Sequence, residues 1–148
     1  ESIDWSIIVL LGAMIPVGQA LQVTGGAGVI AAGLLDASGQ MPPAATVDIV
    51  LVATMFLSDI VNNAAAALVM APIATGLAAG LGVSTDPFLM AVAVGASAAF
   101  LTPIGHQSNT LVMGPGGYRF HDYWRLGLPL ELVIVAVGLP TLLWAWPL

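Results

Sequence analysis

Ser58-Asp59-Ile60-Val61-Asn62-Asn63-Ala64 is the stretch that decides how this chain folds. It places a carboxylate and two adjacent amides inside almost unbroken apolar sequence. A second polar island, Thr102-Pro103-Ile104-Gly105-His106-Gln107-Ser108-Asn109-Thr110, interrupts the next apolar run. Around these islands the 148 residues are 59% apolar and 7% charged, with a mean hydropathy of +1.01. A domain that faces water carries about 25% charged residues. This chain lacks the charge to cover such a surface and reads as an integral, all-α membrane protein. Polar backbone at membrane depth is tolerated only where protein or a water-filled cavity covers it.

Residues 5–35, 60–85 and 87–118 contain no Asp, Glu, Lys or Arg, and a spanning helix needs about 20 such residues. Residues 1–36 read as a spanning helix over 5–23, kinked at Pro16 and ended by Gly25-Gly26, followed by an interfacial helix over 27–35 that is too short to cross. Residues 44–82 form the decisive unit. An apolar run over 47–57 leads into the first island, and a helix containing Pro72 leads out of it to residue 81. One continuous helix over 47–81 would measure roughly 50 Å at 1.5 Å per residue, against a hydrocarbon core of ~30 Å. It would also hold Asp59, Asn62 and Asn63 at mid-depth. The expectation is therefore a re-entrant hairpin of two half-length helices with the island at its tip.

Residues 87–114 read as a broken helix. It is regular over 88–101, interrupted at Thr102-Pro103, resumed near Ser108 and ended at Gly114. Residues 118–125 mix aromatic and charged side chains and hold both basic residues, Arg119 and Arg125. They form an interfacial belt that the positive-inside rule places in the cytoplasm. Residues 126–147 are the last spanning helix, with Trp144 and Trp146 at the opposite interface and Glu131 near the start, snorkelling or paired with Arg125. The chain opens at Glu1 without a methionine, so it reads as the C-terminal part of a longer protein whose N-terminal half lies upstream.

The absence of cysteine excludes disulfides, thiolate zinc sites and cysteine nucleophiles. No other nucleophile–base or metal constellation is visible, so no enzyme is expected. A net charge of −6 argues against nucleic acid.

What remains is the chemistry of helix ends. A break leaves carbonyls on the incoming side and N–H groups on the outgoing side. Carbonyls suit a small hard cation such as Na⁺, and N–H groups suit an anion. Ser58, Asn62 and Asn63 extend either function, since an amide both donates and accepts. Asp59 opposes the helix dipole and needs a cation, a proton or water, which makes it a further candidate cation ligand. At the second break His106, Gln107, Ser108 and Asn109 offer donors without a fixed positive charge, which suits an anion that must also be released. Paired breaks in neighbouring segments point to a transporter binding site.

The two islands, with Pro72-Ile73 following the first, resemble the divalent anion:sodium symporter family of the ion transporter superfamily, which is citrate transporter-like. Asn62-Asn63-Ala64 occupies the position of that family's hairpin tip, and Pro103 to Asn109 matches its unwound loop. The segments Gly114-Pro115-Gly116-Gly117-Tyr118-Arg119-Phe120 and Asp122-Tyr123-Trp124-Arg125-Leu126-Gly127-Leu128-Pro129 resemble sulfate transporters of the sulfur-deprivation type. The resemblance implies one half of an inverted-repeat symporter, a homodimer with an elevator mechanism, in a bacterial inner membrane. It implies a Na⁺ site at Ser58, Val61, Asn63 and Gly105. Substrate contacts are implied at Asn62, Asn63, Ala64, His106 and Gln107, with sulfate or a di- or tricarboxylate as the anion. Two other readings stand beside it. One is a cation/proton antiporter or arsenite-type permease with Asp59 as proton carrier. The other is a membrane scaffold whose polar breaks only pack helices.

Overall fold

The computed structural model describes residues 41–148 apart from Asn62, Ile104 and the side chain of Gln107, together with positions 16, 20, 23–26, 29, 32, 33 and 36. The expected helices over 5–23 and 27–35 lie outside the continuously described residues. The elements are α1 (Pro43–Ile60), α2 (Asn63–Leu81), α3 (Asp86–Ser97), α4 (Gln107–Met113), a 3₁₀ turn (Phe120–Asp122) and α5 (Tyr123–Ala145), with no strand among the described residues.

Pro42 is extended and Pro43 takes the first helical turn, where a missing N–H removes no helical bond. α1 then runs for 18 residues and α2 for 19. Neither is the half-length helix the sequence led us to expect. Ser58 and Asp59 are held in the last turn of α1 because each finds a partner across the bundle, so no loop is needed to expose them. Helix nevertheless stops at the island. Val61 leaves helical geometry at φ −103° and ψ −102°, while its N–H still bonds the Leu57 carbonyl at 3.0 Å. A single helix over 47–81 is thereby excluded. α1, α2 and residues Phe120–Ala145 are each long and apolar enough to cross a membrane.

α2 ends in a glycine cap. Gly82 sits at φ +68°, its N–H bonds the Ala79 carbonyl at 3.2 Å, and the Val83 N–H reaches Ala78 at 3.1 Å. This satisfies carbonyls that the helix end would orphan, and glycine adopts the left-handed conformation without steric cost. α3 starts two residues earlier than the sequence indicated, with Pro87 in its first turn. It packs against both α1 and α2. Its contacts with α1 advance along both helices: Gly95 meets Leu51 and Thr54, Ala96 meets Ser58, and beyond the helix Leu101 meets Asp59.

The core is built from Val47, Leu51 and Met55 of α1, Ile73 and Leu77 of α2, and Phe88 of α3. Leu142 seals it from α5, whose remaining apolar side chains are largely exposed. Small residues set the spacing, as is usual where bilayer-embedded helices associate by packing rather than by the hydrophobic effect. A Cβ on Gly95 would lie 2.6 Å from the Leu51 carbonyl oxygen and 2.9 Å from the Thr54 Cβ.

Gly95→Ala therefore forces α3 away from α1 and should cost about 1–3 kcal/mol, the usual range for overpacking, seen as a lower thermal midpoint of the detergent-solubilised protein. Gly138→Ala is the control. Its nearest neighbour is Ile134 at 3.8 Å, so the midpoint should stay or rise.

Candidate functional site

Four chain segments meet at Asn63. Ser58 comes from the last turn of α1, Asn63 opens α2, Ala96 lies in the last turn of α3, and Gly105 belongs to the unwound stretch beyond it. The Ser58 hydroxyl lies 3.0 Å from Asn63 Oδ1 and 2.8 Å from the Ala96 carbonyl oxygen. With its amide nitrogen turned inward, Asn63 donates to Ala96 O at 3.0 Å, to Ser58 Oγ at 3.0 Å and to Gly105 O at 2.8 Å. With its amide oxygen inward, four neutral oxygens face one another and the single Ser58 proton is left to reconcile them. The first arrangement closes the cluster by hydrogen bonds alone. The second is a cage of hard, uncharged ligands of the kind unwound carbonyls offer an alkali cation.

The Ala96 carbonyl is free for this cluster because α3 stops early. Had helix continued to residue 101, the N–H groups of Phe100 and Leu101 would bond the carbonyls of Ala96 and Ser97. They bond side chains instead: Phe100 N–H donates to Glu131 Oε1 at 3.2 Å, and Leu101 N–H to Asp59 Oδ1 at 3.0 Å. Regular helix ends at Ser97, four residues before the expected helix end at Leu101.

The unwound stretch is then pinned to the end of α1. The Thr102 hydroxyl donates to the Asp59 carbonyl at 2.7 Å and accepts from Gly105 N–H at 3.2 Å. Gly105 presses on α1 so closely that a Cβ there would lie 2.7 Å from the Ala99 Cβ and 3.2 Å from the Ser58 carbonyl oxygen. Further along, the Asn109 amide donates to the carbonyls of Ala99 and Thr102 at 3.0 and 3.1 Å, and the Tyr123 hydroxyl holds the Asn109 carbonyl at 2.6 Å.

The structure thus brings together Ser58, Asn63 and Gly105, with Ala64 half-buried one residue into α2. Val61, 39% exposed, lies beside them at the break. Asn62 and the Gln107 side chain lie outside the described residues. His106 is exposed and caps α4, its Nδ1 accepting Ser108 N–H at 3.1 Å. In the neutral ring this leaves Nε2–H as a free donor. The helix cap is His106, so helix resumes at Gln107, next to the expected restart near Ser108, and Ser108 is exposed. Asn109 spends its amide on the unwound backbone.

Asp59 is 3% exposed and its carboxylate points at Leu101. Glu131 departs from its expected interfacial place. It is 6% exposed, within hydrogen-bonding reach of Asp59, and Arg125 stays at the surface. The reason is Gly127, one turn earlier on the same face of α5, where any Cβ would overlap the Phe100 carbonyl. That glycine lets the α5 backbone touch the unwound stretch and delivers Glu131 to it. The Gly127–Glu131 spacing was the available sequence signal, since residues four apart share a helix face. Ala96, which acts through its backbone, left none.

The citrate transporter family model matches residues 1–147. The chain is similar to the uncharacterized transporter YfbS of Escherichia coli (strain K12), 42% identical over 93% of this chain and 22% of that protein. It is 41% identical, over 94% of itself and 24% of the relative, to a Chlamydomonas reinhardtii protein described provisionally as a sulfur deprivation response regulator. Sodium/sulfate cotransporter 2 of the same organism is 29% identical over 93% of this chain and 16% of that protein. The chain spans about a fifth of the length of the curated relatives it matches. With its helices of spanning length and a family match over nearly every residue, the chain is part of an integral membrane protein and belongs to the citrate transporter family, a family of transporters and not of enzymes.

Proposed function

We propose that this chain forms half of the transport domain of a sodium-coupled symporter that takes up a divalent anion, with sulfate as its substrate and di- or tricarboxylates as the competing class. One observation carries the reading: Ser58 Oγ and the carbonyl oxygens of Ala96 and Gly105 all lie within 3.0 Å of the Asn63 amide, where two helix breaks meet. Na⁺ sits among the oxygens of Ser58, Asn63, Ala96 and Gly105, with the Val61 backbone beside it. The four oxygens at this point are neutral, one hydroxyl, one amide and two backbone carbonyls. The anion lies beyond, against Asn62, Asn63, Ala64, His106 and Gln107, with Ser108 and Asn109 completing α4's first turn. The sodium/sulfate cotransporters among the relatives support both the ion and the substrate.

In this reading α1 and α2 are the arms of a re-entrant hairpin. Ile60 and Val61, 72% and 39% exposed at the break, are apolar residues suited to a tip that ends inside the membrane. A second half of inverted topology, a homodimer, elevator movement and a cytoplasmic place for residues 118–125 belong to the same proposal, as does a bacterial inner membrane.

Uptake of labelled sulfate and succinate into proteoliposomes by the full-length protein tests it. Sulfate accumulation driven by an inward Na⁺ gradient is expected. Proton flux with no anion requirement would replace the proposal with an antiporter centred on Asp59, and absence of any Na⁺-linked flux or binding would leave a scaffold. Asn63→Ala removes the group on which the cluster converges. It should insert normally and raise the Na⁺ half-saturation of uptake about tenfold to a hundredfold, matching ~1.5–3 kcal/mol for a contact to a charged group.

A further inference from the structure

Glu131 stands outside every ion or anion contact named above, yet it and Asp59 are the buried charged residues among the described ones. Among the described residues no arginine, lysine or histidine acts on it. Its neighbours are Asp59 from α1 and the N–H groups of Phe100 and Leu101 from the unwound stretch. Of these, the Phe100 N–H is the one that a continuing α3 would donate to the Ala96 carbonyl. The same carbonyl accepts from Ser58 at 2.8 Å and faces the Asn63 amide. A carbonyl drawn into a helical bond points along the helix axis and has only its second lone pair left for a lateral ligand.

Resting on the sodium reading of the Asn63 cluster, we propose that Glu131 is a positioning residue for the cation site: by taking the Phe100 N–H it ends α3 at Ser97 and keeps the Ala96 carbonyl turned toward Ser58 and Asn63. Asp59 performs the same service one residue on, by taking the Leu101 N–H, and Gly127 brings the α5 backbone close enough for Glu131 to reach. What matters at position 131 is an acceptor oxygen at the end of a three-carbon reach, not a negative charge. The last helix, which contributes no ligand, thereby sets the geometry of the cation site.

The test is the Na⁺ dependence of sulfate uptake by the full-length protein in proteoliposomes, with rates normalised to inserted protein. Glu131→Gln keeps an acceptor oxygen in place and should retain the wild-type Na⁺ half-saturation. Glu131→Ala should raise it about tenfold, the scale of one lost buried hydrogen bond, while the maximal rate at saturating Na⁺ changes little. Glu131→Asp keeps the charge but withdraws it by one methylene, and should behave like the Ala variant. If Glu131→Ala fails to accumulate in the membrane, the Gln and Asp variants decide alone. A wild-type half-saturation in Glu131→Ala or Glu131→Asp, or a loss in Glu131→Gln equal to that in Glu131→Ala, would overturn the proposal. A wild-type protein with no Na⁺ dependence would instead sink the sodium reading on which it rests, and the two failures are told apart before any variant is made.

Discussion

Everything at the centre of this structure follows from the need to pair backbone groups where no water can reach them. Each break strands carbonyls at the end of one helix and N–H groups in the segment that follows. In apolar surroundings an unpaired group costs several kcal/mol. The chain meets this by making each break the partner of the other. The Asp59 carbonyl takes the Thr102 hydroxyl, the Asp59 carboxylate takes the Leu101 N–H, and the Ala96 carbonyl takes the Ser58 hydroxyl. Neither break is satisfied alone.

Such pairing requires backbones to approach within the reach of short side chains. Ser58, Asn63 and Asp59 have little length to spend, and the residues facing them are accordingly small. Gly95 lets α3 lie on α1, Gly105 lets the unwound stretch lie on the end of α1, and Gly127 brings α5 against Phe100. A side chain at any of the three would meet backbone atoms, which cannot give way as a flexible side chain would. The small residues and the polar residues are therefore one device, since the first bring the second into hydrogen-bond range.

How far the sequence disclosed this depends on how local each cause is. The position of both breaks was legible, because an amide-rich island within an apolar run has no other accommodation in a bilayer. The cap at Gly82 has an equally local cause, a glycine at φ +68°. The length of α1 was not, because Ser58 and Asp59 look like loop residues until their partners on α3 and beyond it are known. The end of α3 was misplaced for the same reason. Residues 98–101 are Ala-Ala-Phe-Leu, ordinary helix formers, and the N–H of Phe100 is taken by a glutamate 31 residues further on. Ser58, Asn63 and Gly105 carried readable signals in their side chains or lack of one. Ala96 acts through its carbonyl alone, and a carbonyl is the same at every position of a sequence.

The distribution of charge around the cluster bears on how a transporter can hold an ion and still let it go. Two carboxyl groups, Asp59 and Glu131, lie next to the cluster, and one oxygen of each is turned to the unwound stretch, Asp59 Oδ1 accepting the Leu101 N–H and Glu131 Oε1 the Phe100 N–H. The groups facing inward are neutral: one hydroxyl, one amide and two backbone carbonyls. In the sodium reading, the ion is drawn by a negative field without being held by a charged ligand, and binding stays shallow enough to reverse. Its ligands also come from different segments, Ser58 and Asn63 from the first break and Ala96 and Gly105 from around the second. An ion seated among them fixes the N–H end of α2 relative to the unwound stretch that carries His106. That is the surface on which the anion would rest, so ordering it by the cation is a physical route from sodium binding to anion binding. Coupling would then arise because a cation seated between the two breaks tightens the surface that carries the anion's ligands, with no need for the two ions to touch.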